Sequence, residues 1–132
     1  MRDSKEYTIM SAKGDTGIGN IINVRDFRHC VLSFHTDGGG DAALTAKVQG
    51  SISEDSPTFN SAQSPSNQWD YIQLKDLEDG SSIDGDTGFV VATADDNRLF
   101  EANINGLEWL TVRITAITEG ELTVTVRLFN NK

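Results

Sequence analysis

The sequence predicts an all-β fold, an antiparallel two-sheet β-sandwich of about eight strands with a jelly-roll-like character, on three observations. Apolar residues recur with a period of two almost throughout, the spacing that sends alternate side chains to opposite faces of a strand. No stretch long enough for a helix carries apolar residues on the three-to-four spacing of a helical stripe. Turn chemistry recurs along the chain, at Asp37-Gly38-Gly39-Gly40-Asp41, Asp55-Ser56-Pro57, Ser64-Pro65-Ser66-Asn67, Glu78-Asp79-Gly80, Asp84-Gly85-Asp86, Asn105-Gly106 and Glu119-Gly120.

The strongest strand pattern is C-terminal. Leu110, Val112 and Ile114 alternate with Thr111, Arg113 and Thr115, and Leu122, Val124, Val126 and Leu128 alternate with Thr123, Thr125 and Arg127. Each run sets aliphatics against threonine or arginine, as a half-buried antiparallel strand requires. With Thr118-Glu119-Gly120 between them, the two runs are expected to form a hairpin. Upstream, Cys30, Leu32 and Phe34 define one inward row, and Leu44, Ala46, Val48, Gly50 and Ile52 another. The glycine in that second row signals a bulge or a close packing contact. Trp69 to Leu74, Phe89 to Thr93 and Arg98 to Ile104 read as further strands, with Tyr7 to Met10 and Gly19 to Val24 as edge strands.

A length of 132 residues suits one domain. Residues 1–20 are polar and glycine-containing and read as an N-terminal arm, suited to ordering on a neighbour; residues 21–132 read as the single sandwich domain. The polar segments Ser53 to Asn67 and Asp76 to Gly88 are long for so small a domain, which marks them as a contact surface.

Net charge is −9, from 20 acidic residues against 11 Lys and Arg. Nucleic-acid affinity rests on neutralising phosphates, so no nucleic-acid partner is expected. No apolar run is long enough to span a membrane and no charged-then-apolar leader opens the chain, so neither a membrane partner nor a cleavable export signal is expected. Cys30 stands alone and reads as a small buried hydrophobe.

No metal site is expected. Asp84 and Asp86 come nearest to one, carboxylates two apart on a glycine-rich loop of the kind calcium favours. The helical-hand loop is incomplete, because Phe89 stands at its obligatory glycine, and aspartate and glycine are ordinary turn residues. His29 and His35 share a strand face but lie about 20 Å apart, too far for a shared ion. Neither Gly-x-Ser-x-Gly nor a phosphate-cradling loop opening a helix is present, and no cofactor and no enzymatic activity are expected. Trp69 and Tyr71, two apart, point the same way, and Trp109 falls on the polar side of its strand. Exposed, these rings would stack on sugars; packed, they would seal the sandwich rim or a subunit contact. Trp69, Tyr71, Trp109, Arg113 and Arg127 are the partner-contact candidates.

Several segments in order carry a resemblance: Val24-Arg25-Asp26-Phe27-Arg28, then Val48-Gln49-Gly50-Ser51-Ile52-Ser53-Glu54-Asp55, Pro57 and Phe59, Asn67-Gln68-Trp69-Asp70-Tyr71, Phe100-Glu101-Ala102-Asn103-Ile104-Asn105-Gly106-Leu107, Val112-Arg113-Ile114-Thr115-Ala116, and the last strand from Leu122 to Leu128. From Ile18 onward the chain resembles a class of small tailed-bacteriophage virion proteins with a jelly-roll sandwich. The resemblance implies a structural role, foremost a capsid decoration (cement) protein made in the host cytoplasm and bound to the capsid surface. It implies the major capsid protein or another virion protein as partner, and a homo-oligomer, a trimer foremost. A neck or tail component and a carbohydrate- or receptor-binding module of a virion are the alternatives. The motifs are structural, and no site residue carries over with them.

Overall fold

The computed structural model describes residues 4–92 and 95–130. In chain order its strands are β1 (Ser4–Lys13), β2 (Gly17–Ile18), β3 (Ile22–Asn23), β4 (His29–Asp37), β5 (Ala43–Ser51) and β6 (Asp70–Tyr71). There follow β7 (Leu74–Asp76), β8 (Ser82–Ile83), β9 (Phe89–Val91), β10 (Asn97–Asn103), β11 (Trp109–Glu119) and β12 (Glu121–Phe129). One sheet has the order β1-β12-β4-β10-β7-β8; the other has β2-β11-β5-β6, with β3 also on β11 and β9 also on β5. All the pairings are antiparallel. The two sheets stack into the expected sandwich. The first long strand pairs with the last, and the chain changes sheet at each step from β4 to β5, from β10 to β11 and from β11 to β12.

The alternation read from the sequence sets the core. Cys30, Leu32 and Phe34 from β4, Val124, Val126 and Leu128 from β12, and Phe100 and Ala102 from β10 face Leu44, Ala46 and Val48 from β5 and Leu110, Val112 and Ile114 from β11, all of them buried. Phe34, Phe89 and Phe100 form an edge-to-face trio with centroids 5.1 to 5.7 Å apart, tying the sheets together.

The expected C-terminal hairpin does not form. β11 pairs with β5 from Trp109↔Ser51 to Glu119↔Ala43, whereas β12 lies in the other sheet between β1 and β4. Both flanks of β12 are taken, with Val126 opposite Tyr7 on one side and opposite Leu32 on the other. The chain therefore crosses from sheet to sheet at Gly120, and the aliphatic rows of β11 and β12 meet across the core. Gly120 has φ +94°, and a Cβ there would lie 3.0 Å from Ala42 Cβ and 3.1 Å from the Asp37 carbonyl oxygen. The link from β4 to β5 crosses at the same corner: a Cβ on Gly38 would lie 3.1 Å from Gly120 Cα.

Other expectations change. The segment read as an arm is sheet over Ser4–Lys13, where β1 pairs with β12 and buries Ile9 and Met10, and Gly17–Ile18 pairs with β11. Two apolar residues inserted into the core outweigh the polar composition of the segment; residues 1–3 lie outside the described residues. The run Trp69 to Leu74 divides, β6 joining one sheet and β7 the other, because the chain crosses between sheets at Ile72 and Gln73. Ile52 continues an inward row in the sequence but lies past the end of β5 and is 68% exposed. The strand from Phe89 ends at Val91, and Thr93 lies outside the described residues. Gly50 marks close packing, since a Cβ there would lie 2.8 Å from Leu107 Cδ1.

Two predictions follow from this core. Val124→Asp and Val112→Asp each bury an unpaired carboxylate and are expected to lose more than about 4 kcal/mol in urea unfolding, enough to unfold the domain. Thr125→Asp, on the outward side of β12, is expected to cost less than about 1.5 kcal/mol; a loss equal to that of the valines would mean that a subunit neighbour covers this face. Gly120→Ala is expected to cost about 2 kcal/mol or more in the same measurement, from the left-handed backbone and the crowded corner together.

Candidate functional site

The outward residues of β5, β6 and β11 form the face on which most of the partner-contact candidates gather. Leu110, Val112 and Ile114 point into the core, so Trp109, Thr111 and Arg113 point out. Register places Trp109 beside Ser51, Thr111 beside Gln49, and Arg113 beside Lys47; Tyr71 lies beside Gln49 on the far side. Trp69 packs edge-on against Tyr71 with centroids 5.1 Å apart. Arg127 stands apart, on the other sheet, 3.8 Å from Glu6. Lys47, which the sequence did not single out, completes the group, its ammonium 5.0 Å from the centre of the Tyr71 ring.

Part of this face is covered by the chain's own long loop. The Trp69 indole N–H donates to the Ser61 carbonyl and the Trp109 indole N–H to the Ser53 carbonyl, both at 3.1 Å. Gln49 Nε2 donates to the Phe59 carbonyl at 2.9 Å, and the Ser51 hydroxyl donates to the Gln68 carbonyl. Phe59 is buried, 6.5 Å from Trp69. The tryptophans thus pin the segment from Ser53 to Asn67 onto the sheet, and all three rings are half-buried. At the margin of the loop lies an open groove of about 520 Å³, lined by Ile52, Pro65, Trp69, Ile72 and Leu107, with Asp70 on its rim. Its aliphatics went unnoticed in the sequence because they come from four separate segments, and no spacing rule links them.

Among the described residues, no such cover lies over the outer face of the opposite sheet. Val31 from β4, Leu99 from β10 and Phe129 from β12 line a shallow depression there together with Thr125 and the Glu6–Arg127 pair, and Leu99 is 51% exposed.

The remaining candidates hold local structure. Asp84 Oδ1 accepts the Asp86 N–H at 2.8 Å, and the Asp84 carbonyl accepts the N–H groups of Thr87 and Gly88, both at 3.0 Å. The glycines there are packing residues: a Cβ on Gly85 would lie 2.6 Å from the Tyr71 carbonyl oxygen, and one on Gly88 2.4 Å from that of Ala46. Among the described residues, no group of three His, Cys, Asp or Glu side chains is placed to hold a metal ion. His35 Nδ1 pairs with Asn97 Oδ1, and His29 lies against Phe129 with centroids 5.6 Å apart. Asp95 accepts the N–H groups of Gly38 and Gly40 at 2.9 Å each, so the triple-glycine loop is cradling a carboxylate of its own chain. Arg98 gathers Glu78 at 2.6 Å, Asp96 at 3.2 Å and Asp76 at 3.8 Å, and Glu78 and Asp96, the Glu78 hydrogen bond foremost, raise its pKa. The Ser81 hydroxyl and N–H hold the Asp79 carboxyl below the usual carboxylate range.

Burial pushes the Cys30 thiol up to about 12. The thiolate is the reactive form, so the folded protein is expected to be inert to Ellman's reagent at pH 8 and to release one equivalent once unfolded in guanidinium. Fast labelling of the native protein would contradict this burial.

The class defined by this geometry is an antiparallel two-sheet β-sandwich with one face partly capped by its own loop and the other bare. No protein-family model and no curated protein matches the sequence. Among the solved structures that share the fold are the following two. SPBc2 prophage-derived protein YomS superimposes with a TM-score of 0.72 at 13% identity, over 97% of this chain and 94% of that one. PBSX exported protein XepA superimposes with a TM-score of 0.69 at 15% identity, over 96% of this chain and 38% of that one. The chain thus matches nearly all of YomS and less than half of XepA.

Proposed function

We propose that this chain is a non-catalytic structural protein of a phage that works by docking its surface on another virion protein. The observation that carries the reading is the near end-to-end correspondence with YomS, over 97% of one chain and 94% of the other, since YomS is described as prophage-derived. In its specific form the chain is a decoration (cement) protein, a homo-oligomer with a trimer foremost, seated on the major capsid protein at the capsid surface. The bare outer face of the β1-β12-β4-β10 sheet supports docking, because Val31, Leu99 and Phe129 offer apolar area on a scaffold whose core is already complete.

One finding favours a second reading. XepA is described as exported, and the groove beside Trp69 combines a ring face with a carboxylate on its rim, a combination that suits a carbohydrate- or receptor-binding module.

The test mixes the purified protein with heads and with whole particles of the phage that encodes it, followed by gradient sedimentation. Saturable co-sedimentation with heads is expected, with Leu99→Asp weakening it at least tenfold while circular dichroism stays unchanged. Absence from heads and particles, together with saturable binding on a glycan array that Asp70→Ala abolishes, would replace the docking reading with the second.

A further inference from the structure

In a chain of net charge −9, cations have many carboxylates within reach, and Lys13, Arg25, Arg98 and Arg127 each pair with one or more. Lys47 and Arg113 do not. They are direct cross-strand partners in the β5–β11 register, on the outward face, and among the described residues neither makes an ion pair. Like charges directly opposite each other destabilise a sheet unless something neutralises them. Arg113 Nε is shut off from solvent and has no hydrogen-bond acceptor, so that N–H has lost hydration without gaining a partner. The lysine is held in place: a Cβ on Gly88 would lie 2.7 Å from Lys47 Cγ, so the stem lies against the Gly88 backbone, and its ammonium lies 5.0 Å from the Tyr71 ring centre. Both cations are half-buried, so an anion between them is attracted through a lower effective dielectric than at an open surface.

We propose that Lys47 and Arg113, flanked by Tyr71, form a receptor for one oxyanion, a phosphate or a carboxylate. The guanidinium offers paired N–H donors matched to two oxygens and the ammonium supplies the second positive charge. The anion offsets the cross-strand repulsion that the bare sheet carries. This site is separate from the bare face used for docking, so the inference stands or falls independently of the proposed function.

The test titrates the full chain with inorganic phosphate, with acetate and, as the screening control, with sodium chloride at matched ionic strength, read by amide and arginine side-chain NMR shifts and by thermal midpoint. Saturable shifts centred on Lys47, Arg113 and Tyr71 are expected with phosphate or acetate and not with chloride. Saturation by phosphate alone assigns the site to a phosphate-bearing ligand; saturation by both assigns it to carboxylates as well. Lys47→Gln and Arg113→Gln are each expected to weaken binding at least fivefold, and Arg127→Gln, on the other sheet, to leave it unchanged. Lys47→Gln is also expected not to lower the ligand-free thermal midpoint, because it removes a repulsion. Equal responses to all three salts, or a Lys47→Gln protein that binds like the wild type, would overturn the proposal.

Discussion

The corner where Gly38 and Gly120 lie against each other governs the architecture. Two connections cross between the sheets there, β4 to β5 and β11 to β12, and the backbone of each occupies the space that a side chain on the other would need. Because both crossings are tight, the strands they join stand face to face across the core rather than side by side in one sheet. Each long strand is then free to take lateral partners distant in the chain: β12 takes β1 and β4, and β11 takes β5 and the short β2 and β3. A hairpin at Gly120 would have set β11 and β12 side by side, and β12 has room for only two neighbours.

Which side chains point inward was legible in the sequence; which strands pair was not. A period of two says that Leu110, Val112 and Ile114 share a face, and that Leu122, Val124, Val126 and Leu128 share a face. A hairpin and a sheet crossing both satisfy that pattern, since both bring the two aliphatic rows to the same core. The distinction rests on Gly120 being the single residue between the strands and on its contact with Ala42 and Asp37, neither of which is local in sequence. For the same reason the first residues read as an arm. Ile9 and Met10 are a two-residue apolar signal in a polar stretch, and only the uncovered flank of β12 gives them a place to go.

The candidate site was legible in part. Trp69 and Tyr71 do share a face, and Trp109 and Arg113 join them, because strand alternation fixes side-chain direction wherever the strand assignment is right. The function of the tryptophans was not legible, since it depends on their indole N–H groups reaching the carbonyls of Ser61 and Ser53 in a loop with no regular structure. Lys47 gave no signal at all. It is an ordinary polar position on a strand, and it gains significance from the residue opposite it, Arg113, which is 66 positions away in the chain and 1 register step away in space.

The two outer faces have consequently acquired different chemistry from a nearly symmetric framework. Over β5 and β11 the loop from Ser53 to Asn67 removes Gln49, Ser51 and Phe59 from water, and beyond the loop's reach that face carries a pair of cations and an aromatic edge. Over β4, β10 and β12 no loop intervenes among the described residues, and Leu99, Val31 and Phe129 remain at the surface of a sheet that already has its core on the other side. Leu99 is 51% exposed in the folded chain, so burying it against a partner would gain free energy that folding has not already used. The cations differ in kind. Their mutual repulsion falls when a negative group arrives, whatever carries it, so under the two proposals that face would select by charge where the other would select by shape and apolar area.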